Sequence, residues 1–334
     1  MNKIILLERS LLRKCLLNSP LAVIHHPQSH HQNGPVCMRN HQQIRNYSPG
    51  IWNTISESSP VLFLQDLTIH LHDATGIPWW STIIISTFLL RGAITFPLAL
   101  YQNKILAKVE RLTIEEMPKI AKELKMETAV AVRKFNWTEQ QARVMYLKSL
   151  KKQWNMLIVK ENCHPMKSAV VLIVQLPLWI FQSMALRNLI FMQPDPSLLK
   201  AQMVCAEMTL GGFGWIPNLT EVDHSYILPV TLGLINLAIL EIQVMSRKIQ
   251  STGKLQKYGQ YFFRTVSILM IPIAAFVPSG LALYWVSSST FGLIQNLLIL
   301  SPKVRRIAKI PLVNSEHERP YKHLVEKIRE RIKK

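Results

Sequence analysis

The sequence lacks the motifs that mark common enzyme and metal-binding classes. It has no G-x-x-x-x-G-K-[ST] phosphate-binding loop, no zinc-ligand spacing and no nucleophile–base pair that spacing alone identifies. Its four cysteines include no C-x-x-C pair. We therefore expect a protein that is not an enzyme, with no catalytic residues, no metal site and no cofactor.

Acidic residues are scarce, and segments of alternating polar and apolar residues are absent. The 334 residues include 39 Lys+Arg but only 20 Asp+Glu, and 49% are hydrophobic. The apolar residues collect into long runs, and the basic residues flank those runs. Only helices and closed barrels satisfy their backbone in lipid, so this pattern predicts an all-α polytopic membrane protein. Flanking charges of this kind indicate inner-membrane lipid, rather than nucleic acid, as the surroundings.

Five apolar runs are candidates for transmembrane helices, and the charges between them predict a sidedness. Basic residues outnumber acidic ones by 14 to 7 in 102–168, by 5 to 0 in 246–264 and by 11 to 4 in 301–334. The stretches 48–78 and 191–225 carry 0 against 3 and 1 against 4. The positive-inside rule then places the two termini on opposite sides of the membrane; in a mitochondrion, which the first 47 residues indicate, the N-terminus lies in the intermembrane space and the C-terminus in the matrix. The predicted spans are 79–101, 169–190, 226–245, 265–279 and 280–300.

The first 47 residues have the composition of a mitochondrial transit peptide. They are basic, contain one acid, Glu8, and carry broken leucine repeats rather than a secretory apolar core. Arg45, Tyr47 and Ser48 resemble the R-x-Y/S site of the mitochondrial processing peptidase, so we predict cleavage after Tyr47. A disordered tail is the alternative. The following residues, 48–78, are expected to form an intermembrane-space segment with an amphipathic helix, in which His70 and His72 lie on a polar face.

Two basic regions belong to the predicted matrix side: a hairpin within the five-helix core of residues 79–300 and the tail that follows this core. Residues 102–168 predict a matrix helical hairpin with arms at 102–135 and 139–160, a capping box from Thr138 and a kink or break at Pro118. Its charges either solvate a protruding hairpin or contact an incoming chain or lipid headgroups. The matrix tail 301–334 predicts a basic amphipathic helix suited to an anionic membrane surface.

Arg91 lies near the middle of the first span, where a permanently charged guanidinium is costly. Other polar residues in the spans are predicted to join it in a wet groove, open to the matrix and closed on the other side by aromatic residues. Each of them could instead hydrogen-bond a neighbouring helix. Glu241 either pairs with Arg91 or extends toward the matrix. The predicted groove residues are Thr87, Arg91, Thr95, Gln175, Asn236, Ser288 and Gln295.

Three stretches resemble the YidC/Oxa/Alb family of membrane-protein insertases. FLLRGAITFPL (88–98) resembles the family's first core span, which carries a single arginine. QLPLWIFQSMALRNL (175–189) resembles the second, and IPIAAFVPSGLALYWVSSSTFGLIQNLL (271–298) the end of the fourth and the fifth. ATGIPWW (74–80), ILAKVE (105–110) and NCHP (162–165) resemble the branch that serves cytochrome c oxidase assembly.

This resemblance implies insertion of proteins into the mitochondrial inner membrane without a continuous pore. The branch implies cytochrome c oxidase subunit II as the client, with export of its C-terminal domain to the intermembrane space. It also implies oxidase assembly and copper-delivery factors as partners, and an attraction of Arg91 for acidic client residues. A non-translocating scaffold for oxidase subunits is the main alternative. A solute carrier is a second alternative, but the sequence shows no internal repeat.

Overall fold

The structure is a computed structural model that describes residues 51–246, 254–313 and 316–333. These ranges contain helices and two isolated β-bridges, which confirms the predicted all-α class. The chain enters through α1 (Ile51–Ser56) and α2 (Ser59–Thr75). Helix α2 ends at Gly76, which adopts a left-handed φ of 64° and donates its N–H to the His72 carbonyl. Arg45, Tyr47, Ser48 and the rest of the predicted transit peptide lie outside the described residues.

The first predicted span is the beginning of a much longer helix. Two π-helical segments interrupt its regular pairing, and each is followed by a proline, Pro97 or Pro118. Proline has no N–H to donate, and its ring crowds the carbonyl four residues back. The wider π turn absorbs this misfit, so the helix continues past Pro118, where we predicted a kink or break. The parts are α3 (Trp79–Leu90), π Arg91–Thr95, α4 (Phe96–Arg111), π Leu112–Glu116 and α5 (Met117–Phe135).

The charged loop folds as two helices around a tight connection. Asn136 ends α5 with a left-handed φ of 49°. Helix α6 (Glu139–Lys160) begins with the predicted capping box, in which the Thr138 and Gln141 side chains each accept from the other's backbone N–H. Helices α5 and α6 pack against each other. A 3₁₀ turn, Pro165–Ala169, then leads into the next apolar helix.

Three further helices match predicted spans to within one residue at each end. They are α7 (Val170–Phe191), α9 (Ile227–Met245) and α11 (Ser279–Leu300). Together with the helix that begins at Trp79, they give four helices that are long and apolar enough to cross a membrane within the described ranges.

The predicted fourth span, 265–279, has the wrong boundaries. Helix α10 runs Lys254–Ala275, so it begins earlier and ends sooner. Pro278 precedes α11, and Ser279 is the first residue of α11 rather than the last of α10. The Ser279 N–H donates to the Glu221 carbonyl at 2.6 Å, which ties this turn to the loop before α9. Lys257 and Arg264 lower the hydropathy of α10, so the five-span count remains a prediction.

The main apolar core lies at one end of the helix bundle. It joins the first turns of α3, α9 and α11 to the last turns of α7 and to α8 (Leu199–Leu210). Fully buried side chains of this core are Trp79, Ile83, Leu186, Met208, Leu219 and Leu232. The aromatic and leucine-rich ends of the predicted spans therefore pack tightly together.

His72 corrects the predicted polar face of α2. Its side chain is only 4% exposed and stacks on Trp79, with ring centroids 4.1 Å apart. The indole Nε1 of Trp79 donates to Glu207 Oε2 at 3.0 Å, and His72 Nε2 lies 3.2 Å from the same oxygen. A buried imidazole needs polar partners, and α8 supplies one here. Periodicity within α2 could not show this contact, because the partner lies far along the chain.

The C-terminal residues fold back along the bundle. After α12 (Pro302–Ile307), Ile310 and Val313 pack against Ala107 of α4. Arg305 and Arg306 both pair with Glu316. Helix α13 (Pro320–Ile332) then returns to α9 and α11.

Candidate functional site

Arg91 lies where the first long helix changes from α-helical to π-helical pairing. It is the first residue of the π segment, and its carbonyl accepts from the Phe96 N–H five residues on. Pro97 accounts for the change, because it has no backbone N–H to donate to the carbonyl one turn earlier in the helix. Single π turns of this kind occur frequently at functional sites, so the local backbone already distinguishes this position.

The Arg91 side chain faces a small pocket between α3, α7 and α11. The pocket measures about 240 Å³, including the open space at its mouth. Four residues predicted for the groove meet here, although they come from two different spans. The lining residues are Thr87, Leu90, Arg91, Thr95, Gln175, Leu178, Trp179 and Tyr284.

The guanidinium of Arg91 has no charged partner in the part of the chain that the structure describes. It forms neither a salt bridge nor a side-chain hydrogen bond there. Glu241 pairs instead with Arg264, whose Nε donates to Oε1 at 2.9 Å, and with Arg331. The suggested Glu241–Arg91 pair is therefore wrong. A half-buried positive charge without a counter-ion favours the binding of a negatively charged or polar group.

The two threonines near Arg91 use their hydroxyl protons within their own helix. Thr87 Oγ1 donates to the Ile83 carbonyl at 2.6 Å, and Thr95 Oγ1 donates to the Arg91 carbonyl at 2.9 Å. Their oxygen lone pairs stay available, so they act on the pocket as acceptors rather than donors. Together with Gln175 they add polar side chains to a largely apolar pocket lining without adding a second charge.

Tyr284 and Trp179 are pocket residues that the sequence reasoning missed. Both belong to apolar stretches, and Trp179 was assigned to the aromatic, closed end of the bundle. The Tyr284 hydroxyl donates to the Trp179 carbonyl at 3.4 Å, which joins α11 to α7 beside Arg91. One signal was available: Tyr284 lies one helical turn before the predicted groove residue Ser288.

The remaining predicted groove residues lie outside the pocket lining. Ser288 is 2% exposed, whereas its neighbour Ser289 faces α9 and donates to Asn236 Oδ1 at 2.9 Å. Gln295 has a buried Oε1 with no hydrogen-bond partner in the described ranges. Asn236 therefore belongs to the contact between α9 and α11, and one predicted groove separates into two polar groups, the Arg91 pocket and the α9–α11 contact.

Gly292 connects these two groups. A Cβ atom placed there would lie 4.0 Å from Arg91 Nη1 and 3.7 Å from Ile239 Cδ1 of α9. The guanidinium thus approaches the backbone of α11 on the side where α9 packs. A small residue at this position permits the close approach of a long basic side chain.

Comparison with known proteins decides the family. The family model described as "60Kd inner membrane protein", that of the YidC/Oxa/Alb insertases, matches residues 70–306, which include all eight pocket residues. The chain belongs to this family. The resemblance noted in the three quoted stretches is thereby confirmed.

Individual relatives narrow the similarity further. The chain is 47% identical over 278 residues to mouse (Mus musculus) cytochrome c oxidase assembly protein COX18, mitochondrial, covering 83% of this chain and 82% of that protein. The human (Homo sapiens) protein of the same name is 44% identical with the same coverage. Arabidopsis thaliana mitochondrial inner membrane protein OXA1-like is 29% identical over 78% of this chain and 54% of its own length.

Proposed function

We propose that this protein is a mitochondrial inner-membrane insertase that exports the C-terminal domain of cytochrome c oxidase subunit II to the intermembrane space and so supports complex IV assembly. One observation carries the proposal: an arginine with no counter-ion among the described residues faces a small pocket that polar side chains help to line, within a bundle of apolar helices. The similarity to relatives named for cytochrome c oxidase assembly supports the choice of client. Oxidase assembly and copper-delivery factors are the proposed partners.

The proposed topology has five spans, with α10 as the fourth. The N-terminus lies in the intermembrane space and the C-terminus in the matrix, because the loops with excess Lys and Arg alternate along the sequence. The tightly packed core at the starts of α3, α9 and α11 then faces the intermembrane space. The Arg91 pocket lies nearer the matrix, so a client segment would enter from that side.

In the proposed mechanism Arg91 attracts acidic residues of the translocating segment, while Gln175, Thr87 and Thr95 hydrogen-bond its backbone. Each unsatisfied backbone group in hydrocarbon costs several kcal/mol, so polar pocket walls lower the barrier to partial insertion. The membrane potential favours outward movement of negative charge by ~2.3 kcal/mol per charge per 100 mV. Burial of client helices in lipid completes the reaction, and no covalent step is required.

Export of subunit II tests the proposal directly. Mitochondria that lack the native protein would receive wild type, Arg91→Ala or Arg91→Lys at equal levels. After the outer membrane is opened, protease access to the C-terminal domain of newly made subunit II reports export. We expect access with wild type, protection with Arg91→Ala, and partial access with Arg91→Lys, which keeps the charge.

Arg187→Ala is the matched control, because Arg187 is the other arginine within the predicted spans and lies outside the pocket. Its guanidinium instead lies 5.8 Å from the Phe191 ring centroid at the end of α7. Equal export by wild type and Arg91→Ala would contradict the charge-based mechanism. A scaffold that binds oxidase subunits without moving them would then be the better explanation.

A further inference from the structure

Helix α13 is attached to the ends of α9 and α11 by three polar contacts. The Tyr321 hydroxyl donates to the Leu297 carbonyl of α11 at 3.0 Å. Lys327 Nζ donates to the carbonyl of Met245, the last residue of α9, at 2.9 Å. The Arg331 guanidinium pairs with Glu241, one turn earlier in α9. All of the acceptors lie in the last two turns of their helices, where cations are favoured.

The contacts place α13 across a polar seam between α9 and α11. In this seam Ser289 Oγ donates to Asn236 Oδ1 at 2.9 Å, and Gln243 Nε2 donates to Asn296 Oδ1 at 3.2 Å. The two pairs are one heptad apart on both helices, so they form a continuous stripe. Gly292 brings Arg91 to within reach of this stripe, because it lies between Ser289 and Asn296.

We propose that α13 is a detachable latch, which holds the ends of α9 and α11 together and must leave before a client segment can part the seam. This inference rests on the proposed insertase function and adds a control step to it. The client would then exchange its own polar groups for those of Asn236, Gln243, Ser289 and Asn296. The client can exchange these polar groups only where α9 and α11 separate, and the latch holds the ends of these two helices together.

The attachment of α13 is weak enough to be reversible. Its contacts are polar and partly solvent-exposed: the Arg331 side chain is 51% exposed and that of Glu241 is 29% exposed. Leu324, at 7% exposed, is the main buried apolar residue of α13, whereas Val325 remains 55% exposed. Glu241 is also shared with Arg264 of α10, so it keeps a cationic partner when Arg331 leaves. Loss of the latch therefore does not strand a buried charge.

The first test measures release of α13 from the full-length protein reconstituted in liposomes. Arg331→Glu replaces the attraction to Glu241 by repulsion. Arg329→Glu is the matched control: it makes the same charge change and removes a trypsin site, but Arg329 is exposed and forms no ion pair in the described ranges. We expect trypsin to cut within residues 319–333 about two- to fivefold faster in Arg331→Glu, as suits an exposed ion pair. Equal rates in the two variants would overturn the latch.

Loss of the Lys327 contact should act in the same direction. Lys327→Met removes the donor to the Met245 carbonyl while keeping an unbranched side chain of similar length. Cleavage at the remaining sites is expected to accelerate, and unchanged cleavage at Arg329 and Arg331 would count against the latch.

The second test fixes the latch covalently. In Arg331→Lys, a water-soluble carbodiimide activates the Glu241 carboxylate, and the amine at position 331 attacks it. An amide forms, and the carbodiimide leaves as a urea. Arg329→Lys treated in the same way is the control, and mass spectrometry of the linked peptides measures the yield. We expect insertion of subunit II into the liposomes to fall in proportion to this yield in Arg331→Lys alone.

The two tests separate the latch from the function on which it rests. Full insertion by the cross-linked protein would overturn the latch while leaving the insertase function intact. Failure of the treated Arg329→Lys control and of untreated wild type to insert subunit II would overturn the proposed function, and the trypsin comparison would still decide whether α13 detaches.

Discussion

The crossing of α9 and α10 depends on Gly233, and replacing it gives a quantitative prediction. A Cβ atom at position 233 would lie 2.4 Å from Ile271 Cγ1 and 2.6 Å from Ile271 Cδ1. Real side chains do not approach so closely, so Gly233→Ala must displace Ile271 or separate the helices. Overpacking of this kind costs about 1–3 kcal/mol. We expect the lower half of that range, because Ile271 is only partly buried and can rotate.

Gly259→Ala is the matched control, since a Cβ atom there would meet nothing within 4 Å. Both substitutions gain helix propensity, by up to ~1 kcal/mol, so the difference between the variants isolates the steric term. Unfolding in mixed micelles with increasing SDS, followed by circular dichroism, measures it. Gly233→Ala combined with Ile271→Val, which shortens the opposing side chain, should recover part of the loss.

Equal stability of Gly233→Ala and Gly259→Ala would refute the close crossing of α9 and α10. The result also bears on the five-span topology. Small residues that allow close backbone approach are typical of helix contacts inside membranes. If α10 were only loosely associated with the bundle, the alanine Cβ would find space and the predicted difference would vanish.

Three further predictions use other contacts. Gly212→Ala should destabilise more than Gly233→Ala in the same SDS titration, because its Cβ would lie 2.1 Å from the Ile216 carbonyl oxygen, and backbone cannot rotate away as a side chain can. Glu207→Gln should lower the unfolding free energy by about 1–2 kcal/mol, since the charge-assisted hydrogen bonds to Trp79 and His72 become neutral, and no change in the SDS titration would contradict this network. Burial raises the pKa of the Cys163 thiol, so the folded state favours the neutral thiol. The contribution of Cys163 to stability is therefore full below the ordinary thiol pKa and is lost as pH rises through the raised value. Alkylation of Cys163, followed by peptide mass spectrometry, should be slower at pH 8 in the folded protein than in the unfolded chain.

Local patterns in the sequence were sufficient for most helix boundaries. Apolar runs ended by proline, glycine or charge set the limits of α7, α9 and α11, and the capping box set the start of α6. Both signals act within a few residues, so they need no knowledge of the fold. The start of α10 was missed because its first half is polar and therefore carries no signal for a span.

Contacts between distant residues could not be predicted in the same way. The partner of Glu241 in α13 is 90 residues away, and that of His72 in α8 is 135 residues away by number (207 − 72). Nothing in the spacing of either residue indicates which helix it faces. The π segments were missed as well, because proline in a helix pattern predicts a kink or a break and does not distinguish them from a wider turn.

The separation of the predicted groove into two groups follows from the geometry of α11. Successive helical residues point about 100° apart, so Ser288 and Ser289 cannot face the same neighbour. Tyr284, four residues before Ser288, lines the Arg91 pocket, whereas Ser289 and Asn296, seven residues apart, both face α9. The sequence prediction grouped the groove residues by their depth in the membrane. Depth does not indicate the direction in which a side chain points around the helix axis. Because α11 is the wall shared by pocket and seam, and Gly292 lets Arg91 approach α11 where α9 packs, a client held by Arg91 would lie beside the seam that α13 closes. Ser289→Ala removes the hydrogen bond to Asn236 and should weaken the seam by about 0.6 kcal/mol, as for interhelical hydrogen bonds in membranes, and the SDS titration measures this loss.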